Sequence, residues 1–215
     1  MPEIAGLAIS ARYRASGDAE VGGDWHDVLD LPDAGVAVIV GDVAGHGVTA
    51  ATTMGHLQHA MRAYAIEDDS PSAILRRVNR LIHWVLPGEV ATAIVVVLDR
   101  DHGRARIASA GHMPPLLIDG SQASYLPLAN GPALGVSTDP TYAEATHSLD
   151  DETMLLFTDG LVERRGESID VGLSRLATFA GGHSGPQLLD DLMETLPGTA
   201  GRDDLAVVAV QRRSR

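Results

Sequence analysis

At Gly41-Asp42-Val43-Ala44-Gly45-His46-Gly47 an apolar run ends, glycines follow and an apparent helix begins. The run before this turn, residues 36–40, reads Val-Ala-Val-Ile-Val and is typical of a buried strand. A carboxylate at the end of a buried strand is costly unless a positive group meets it. We therefore interpret the stretch as a ligand-binding turn and ask which other residues converge on Asp42.

Composition restricts the kind of protein this can be. The chain has 215 residues, and we interpret residues 1–215 as a single domain. It contains no cysteine, which excludes disulfides, thiolate metal sites and a cysteine nucleophile. The net charge of −13 disfavours nucleic acid and anionic membranes as partners and attracts divalent cations. No apolar run approaches the roughly 20 residues that span a bilayer, so we expect a cytoplasmic protein.

A hairpin is predicted just before the turn. Residues 28–31 and 36–40 have strand character and are joined by Pro32-Asp33-Ala34-Gly35. If the turn is centred on its second residue, the register of the hairpin pairs Asp24 with Asp42. Paired Cβ atoms lie roughly 5 Å apart, and two carboxylates at that spacing repel unless a cation or a proton lies between them.

The rest of the pattern groups strands and helices. A strand is predicted at 7–14, and helices at 47–64 and 71–85, the second with Ser70 as N-cap and Pro71 in its first position. Strands follow at 92–98, 104–109, 115–118, 124–128, 143–149 and 153–157, then helices at 172–180 and 186–196 and a strand at 205–210. This order indicates a layered α+β fold rather than alternating β-α units.

Four aspartates share one sequence context. Asp24, Asp42, Asp159 and Asp203 each lie beside a predicted strand end, and the first three have neighbouring glycines that would let an ion or phosphate approach the backbone. Hard oxygen ligands suit Mg²⁺ or Mn²⁺. Two such ions about 4 Å apart can share a water and aim it at phosphorus. Taken singly, Asp159 is better explained as a turn, and Asp203 with Asp204 as a solvated strand entrance. The hypothesis of a metal site therefore depends on the four aspartates taken together.

Seven motifs, in order along the chain, resemble the bacterial SpoIIE/RsbU-type branch of the PPM (PP2C-like) metal-dependent protein serine/threonine phosphatases. They are Val-Gly-Gly-Asp24-Trp-His-Asp, Gly-Asp42-Val-Ala-Gly-His-Gly, Ala-Thr92-Ala, Ser-Ala-Gly-His112-Met-Pro-Pro, Gly131-Pro-Ala-Leu-Gly135-Val, Leu-Phe-Thr-Asp159-Gly-Leu-Val-Glu163 and Asp203-Asp204-Leu-Ala-Val-Val. The resemblance runs over about residues 7–210. It implies a β-sandwich of two antiparallel sheets flanked by helices (α-β-β-α layers), with a two-metal centre at one end.

The resemblance also implies roles for individual residues. Asp42 would bridge two Mn²⁺ or Mg²⁺ ions, and the carbonyl of Val43 would be a further ligand. Asp24 would bind one metal, and Asp159 and Asp203 the other. A metal-bridging water would then attack phosphoserine or phosphothreonine directly, so these four aspartates are the expected catalytic residues.

Partners follow from the same resemblance. The usual substrates of the family are phosphorylated anti-anti-sigma factors, which are small STAS-domain proteins. An upstream sensor domain or activator and a homodimer are further implied partners, and the helices at 47–64 and 71–85 are implied to position the metal-binding turn. The chain is then either a domain excised from a longer sensor-containing protein or a free-standing phosphatase.

The sequence allows alternative interpretations of two histidines, two arginines and the function itself. His46 and His112 are candidate proton donors to the leaving serine oxygen or hydrogen-bonded turn residues; the second interpretation is favoured for His112, and His46 is undecided. Arg12 and Arg14 are better explained as surface charges than as phosphate ligands. The competing functions are a catalytically silent phosphatase-like binding module, which the presence of all four carboxylates disfavours, and another two-metal phosphoesterase.

Overall fold

The computed structural model describes residues 3–15, 22–31, 34–101, 103–183, 187–196 and 204–213. Asp203, the turn residues Pro32 and Asp33 and the predicted helix start at Pro186 lie outside the described residues.

The described residues form ten strands, four helices and one short 3₁₀ turn. The elements are β1 (Leu7–Arg14), β2 (Asp24–Leu31), β3 (Gly35–Val43), α1 (Gly47–Glu67), α2 (Pro71–Val85), β4 (Ala91–Leu98), β5 (Arg104–Ala110), β6 (Leu116–Asp119), β7 (Gln122–Tyr125), β8 (Ala145–Ser148), β9 (Thr153–Phe157), the 3₁₀ turn (Asp159–Leu161), α3 (Ile169–Ala180), α4 (Leu188–Thr195) and β10 (Leu205–Arg212).

The strands build two five-stranded sheets. One has the order β1-β10-β9-β6-β7 and the other β2-β3-β4-β5-β8, and neighbouring strands pair antiparallel throughout. One apolar core fills the space between the sheets, a second lies between the β2–β8 sheet and helices α1 and α2, and a third lies between the other sheet and helices α3 and α4. The predicted α+β class and its α-β-β-α layers are confirmed.

Both faces of the central strands are buried, which explains their continuous apolar sequence. Along β3, Val36, Val38 and Val40 pack into the core between the sheets, while Ala37 and Ile39 pack beneath the helices. Successive side chains of a strand point to opposite faces, so a strand covered on both sides has apolar residues at every position. The same alternation decides which face each polar residue at a strand end occupies.

Every predicted strand and helix is found, and several of their boundaries shift by a few residues. The strand predicted at 124–128 lies at Gln122–Tyr125, because Pro127 cannot donate to a strand ladder. The strand predicted at 143–149 is shorter, Ala145–Ser148. Helix α3 begins at Ile169 rather than 172, because Ser168 caps it by accepting from the backbone N–H of Asp170.

Helices α1 and α2 are attached to the sheet and to each other by polar contacts. Arg62 of α1 forms an ion pair with Asp27 of β2, whose side chain is largely buried. Arg77 of α2 pairs with Glu67 and Asp68 at the end of α1 and lies over the ring of Tyr64. Ser70 caps α2 by accepting from the N–H of Ala73, as its sequence predicts. No helix in the described part of the chain is long and apolar enough to cross a membrane.

Candidate active site

The β2–β8 sheet presents a row of three polar side chains at one end. Strand register places Asp24 of β2 opposite Asp42 of β3, and Asp42 opposite Thr92 of β4. The pairing of Asp24 with Asp42 was predicted from the hairpin and is confirmed. Asp42 lies on the same face of β3 as Val38 and Val40, which face the other sheet. The row therefore points into the open end of the cleft between the two sheets.

The opposing sheet contributes Thr158 and Asp204 to the same end. Asp204 immediately precedes β10 and is an even number of residues from Val208 and Val210, whose side chains lie between the sheets. Its side chain therefore lies on the same face of the strand. Thr158 follows β9 and continues the ladder to β10, since its N–H donates to Ala206 O at 3.0 Å and its Oγ1 accepts from Ala206 N at 2.9 Å. Both sheets thus end in side chains that face one another.

One hydrogen bond connects the sheets at this point. The backbone N–H of Gly23 donates to Asp204 Oδ2 at 2.7 Å. A Cβ on Gly22 would lie 1.9 Å from the Asp204 carboxyl carbon, so only glycine fits there. Asp204 is buried, which contradicts the sequence interpretation of this residue as a solvated strand entrance. It holds the backbone that carries Asp24.

The paired aspartates lie in an environment that disfavours two negative charges. Asp24 is only 3% exposed, and its Oδ2 has no hydrogen-bond partner among the described residues. Burial raises the pKa of Asp24, and the charges of Asp42 and Asp159 raise it further, while the Thr158 side chain opposes the shift. Burial likewise raises the pKa of Asp42. Without a cation, the pair therefore retains a proton.

Further acidic groups act on the pair. The charges of Asp204 and Glu163 add to the rise in the pKa of Asp42. Asp159 opens the 3₁₀ turn after β9, and its carbonyl accepts from the N–H groups of Val162 and Glu163. The negative potential at this end of the sandwich thus comes from both sheets, which is the electrostatic condition for binding a divalent cation.

His112 forms a hydrogen bond with Thr92, one of the three polar side chains in the row. Its side chain is buried, and its Nδ1 lies 2.8 Å from Thr92 Oγ1 in a hydrogen bond. Burial lowers the pKa of His112 to about 4, although the backbone of Phe157 partly opposes this. A neutral imidazole hydrogen-bonded beside the site is the structural role that the sequence favoured over proton donation. His46, in contrast, is exposed at the N-cap of α1 and makes no capping hydrogen bond.

Two glycines of the site motifs, Gly41 and Gly23, allow close packing, and two others, Gly45 and Gly47, are required by the conformation of the turn. A Cβ on Gly41 would lie 2.2 Å from the ring of Trp25, and one on Gly23 would lie 2.7 Å from Val43 O. These close approaches contradict the expectation that glycines keep room for a ligand at these two positions. Gly45 and Gly47 have positive φ angles of 108° and 79° with nothing near a Cβ, so the turn geometry itself requires them.

The residues implied to hold metal are only partly assembled among the described side chains. In the ranges that the structure describes, no three His, Asp or Glu side chains form a ready metal cluster, and Asp203 lies outside those ranges. The donor chemistry nevertheless fits Mg²⁺ or Mn²⁺, because the orphaned buried oxygen of Asp24 and the carboxylate of Asp42 are hard ligands. Val43 lies beside Gly23, its N–H donating to Gly23 O at 3.2 Å.

Sequence reasoning overlooked the contributions of Thr92, Thr158, Glu163 and Asp204 to the site. Counting every second residue back from Val210 along the last strand would have placed Asp204 on the inner face. No comparable signal identifies the His112–Thr92 hydrogen bond, because it joins a loop to a strand. The two arginines on β1 lie elsewhere: Arg12 pairs with Asp190 of α4, with Nε 2.6 Å from Oδ1, and Arg14 donates to the carbonyl of Met193.

Comparison with known proteins places this arrangement in a family. The family described as Stage II sporulation protein E (SpoIIE) matches residues 32–213. The chain belongs to the SpoIIE family. Its fold is that of the family's PP2C-like phosphatase domains, as the resemblance in the sequence implied.

Among curated relatives of this SpoIIE-family chain is the phosphoserine phosphatase RsbU of Bacillus subtilis (strain 168). The two are 29% identical over 169 residues, which cover 77% of this chain and 48% of RsbU. The chain therefore spans about half the length of this relative. RsbU is a phosphoserine phosphatase, so this chain is similar to part of a protein that hydrolyses phosphoserine.

Solved structures of related proteins agree with the fold. The RsbU and RsbW domains of Rv1364c from Mycobacterium tuberculosis superpose with a TM-score of 0.84 at 34% identity, covering 97% of this chain and 60% of that one. RsbX in complex with magnesium has a TM-score of 0.74 at 18% identity, covering 99% of this chain and 98% of RsbX. The first structure matches in both fold and sequence, and the second matches in fold alone.

Proposed function

We propose that this chain is a metal-dependent protein serine/threonine phosphatase that hydrolyses phosphoserine or phosphothreonine on a regulatory protein. The observation that carries the proposal is the cross-strand pair of the buried Asp24 and the half-buried Asp42, whose pKa values are raised chiefly by burial and, for Asp24, by the neighbouring carboxylates. A positive charge between the two carboxylates would remove this penalty. Mn²⁺ or Mg²⁺ would supply that charge. In our proposal Asp24, Asp42, the carbonyl of Val43, Asp159 and Asp203 hold two ions.

The protein's own groups have distinct tasks in this proposal. Two bound cations would supply Lewis acidity to the phosphate and to a water. Asp24 and Asp42 would hold a cation in place of their shared proton, and their positions are fixed because their strands are paired. Asp204 fixes the backbone before Asp24 through its bond to Gly23. Thr92, bonded to His112, fills the third position of the row.

The proposed substrate is a phosphorylated anti-anti-sigma factor of the STAS class in the cytoplasm. Family membership and the similarity to RsbU and to the RsbU domain of Rv1364c support this choice. Because the chain spans about half of RsbU, a partner sensor domain, a separate activator or a homodimer belongs to the proposal. We further propose that residues 1–215 form one phosphatase domain.

The first test compares variants of the proposed ligands with a matched control. Hydrolysis of p-nitrophenyl phosphate should require Mn²⁺ and fall by at least about 100-fold in Asp42→Asn and Asp159→Asn, since losing one key electrostatic group typically costs that much. The control is Asp30→Asn, an exposed aspartate on the same strand as Asp24, which should retain wild-type activity. Full activity of folded Asp42→Asn in metal-free buffer would refute the mechanism.

A second test addresses the substrate. Candidate phosphorylated STAS proteins are incubated with the enzyme with and without Mn²⁺, and release of phosphate is measured. Turnover that depends on Mn²⁺ and on Asp42 supports the proposal. A folded, metal-bound protein that binds such a substrate without turnover would identify a silent binding module instead.

A further inference from the structure

Helix α2 has an outer face that no described residue covers. Arg76, Arg80 and Trp84 lie on successive turns of the helix, and all three are exposed. Residues four apart on a helix are neighbours on one face. We name these three residues the arginine-tryptophan face. The opposite side of α2, which includes Ile74, Val78 and Ile82, is buried against the sheet.

The two arginines of this face differ from the arginine between them. Arg77 pairs with Glu67 and Asp68 and lies 5.9 Å above the Tyr64 ring. Arg76 and Arg80 form no ion pair with any described residue, although the chain carries 29 acidic side chains against 16 basic ones. In so acidic a protein, two adjacent arginines without carboxylate partners are available to an outside carboxylate.

Trp84 adds an apolar group at the end of the same face. Its side chain is 82% exposed, and the neighbouring Val85 is 65% exposed, whereas the chain's other tryptophan, Trp25, is 3% exposed. Tryptophan and arginine are the residue types most enriched at energetic centres of protein interfaces. An uncovered tryptophan beside unpaired arginines therefore indicates a contact surface rather than a solvated helix face.

The face also has a defined position relative to the acidic pair. Helix α1 starts directly after the Asp42 turn, and α2 returns antiparallel beside it to the same end of the sheet. The segment after α2 contacts the turn, because the N–H of Ala44 donates to Val90 O at 2.9 Å. Trp84, in the last turn of α2, thus lies at the end of the helix nearest the candidate active site. A groove of about 400 Å³ lies beside both arginines, with Asp139 also among its lining residues.

We propose that the arginine-tryptophan face docks an acidic segment of a partner protein. In this complex, carboxylates one helical turn apart meet Arg76 and Arg80, and an apolar side chain of the partner covers Trp84. Charge complementarity selects the partner: Arg76 and Arg80 form no ion pair within the described ranges, and an arginine guanidinium binds a carboxylate through two parallel hydrogen bonds. This docking site goes beyond the proposed catalysis and does not depend on it.

Other occupants fit the face less well. A nucleic acid or an anionic bilayer would extend over a wide area of a chain whose net charge is −13, and two arginines are too few to offset that repulsion. A short acidic segment would meet only the charges within about a Debye length of the two arginines. A free phosphate would use the arginines but would leave Trp84 uncovered. An acidic and partly apolar protein segment uses all three side chains.

The test uses a fluorescein-labelled amphipathic peptide that carries Leu, Glu and Glu on successive helical turns. We expect saturable binding by fluorescence anisotropy, weakened by salt, and protection of tryptophan fluorescence from acrylamide. Trp84 provides that signal because Trp25 is buried. The single variants Arg76→Glu, Arg80→Glu and Trp84→Ala should each weaken binding at least about tenfold. Arg100→Glu, an equal charge change at an exposed arginine in the turn after β4, is the control.

Specific results would overturn the proposal. These are the absence of saturable binding to the wild-type protein, equal binding of a peptide with Lys in place of both Glu, or equal loss of binding in the Arg100→Glu control. Each variant is first compared with wild type by thermal unfolding and by p-nitrophenyl phosphate hydrolysis, which should not change. A dimer in sedimentation velocity that Arg76→Glu abolishes would assign the face to a second copy of the chain, and binding to anionic vesicles would assign it to a membrane; either outcome refutes our choice of partner.

Discussion

Replacing Asp24 by Asn should change how the stability of the metal-free protein depends on pH. The pKa of Asp24 is raised in the folded state by burial and by the charges of Asp42 and Asp159. In the unfolded chain an aspartate has a pKa of about 4. Between these two pKa values the folded protein holds a proton that the unfolded chain has lost. Stability from this proton is complete below the unfolded pKa and is lost as the pH rises toward the folded pKa.

The size of the effect follows from proton linkage. One proton of difference changes the free energy of unfolding by about 1.4 kcal/mol per pH unit. From about pH 5 to about pH 8, wild-type protein in EDTA should therefore lose up to ~4 kcal/mol relative to Asp24→Asn. The assay is urea unfolding at several pH values, and Asp30→Asn on the exposed side of the same strand is the control. This control should follow the wild-type profile.

A cation should reverse the trend. Because it replaces the proton, saturating Mn²⁺ should stabilise the wild type more at about pH 8 than at about pH 5, whereas Asp24→Asn should gain little at either pH. Parallel pH profiles of wild type and Asp24→Asn in EDTA would show that the pair holds no shared proton, and the electrostatic account of the site would then be wrong.

Three further substitutions test the surroundings of the site. Gly41→Ala places a Cβ 2.2 Å from the Trp25 ring and should lower the free energy of unfolding in urea by about 1–3 kcal/mol. Gly55→Ala, in helix α1 with open space around the new Cβ, should instead raise it by about 0.5–1 kcal/mol; a loss of stability there would contradict the packing described. Thr92→Val removes the hydrogen bond to His112 and should cost about 1–3 kcal/mol. It should also weaken Mn²⁺ binding in calorimetry, and unchanged affinity would show that the row needs only the two aspartates.

The sequence predicted the part of the site that local geometry determines. A hairpin turn and a strand period of two are short-range features, and together they placed Asp24 opposite Asp42 before any tertiary information was used. The capped start of α2 at Ser70 and Pro71 was predictable for the same reason, since the signal lies within one turn of helix.

The part of the site that the sequence did not predict depends on how segments far apart in the chain pack together. Asp204 looks like a solvated residue until the last strand pairs between β1 and β9 and its inner face meets the other sheet. The hydrogen bond from His112 to Thr92 likewise requires the loop after β5 to fold back over β4. Sequence pattern alone gives no distance between such segments, so the interpretation of Asp204 as solvated was wrong while that of the hairpin was right.

The bond between Gly23 and Asp204 has a consequence for how the chain folds. It joins positions 181 residues apart, so closing it has the entropic cost of a loop that contains most of the protein. Contacts of such long sequence separation form slowly, and during synthesis Asp204 emerges 181 residues after Gly23. A nascent chain can build the Asp24–Asp42 hairpin early, but the acidic end of the sandwich is completed only when the last strand is inserted. Formation of the site therefore requires that both sheets have folded and packed together.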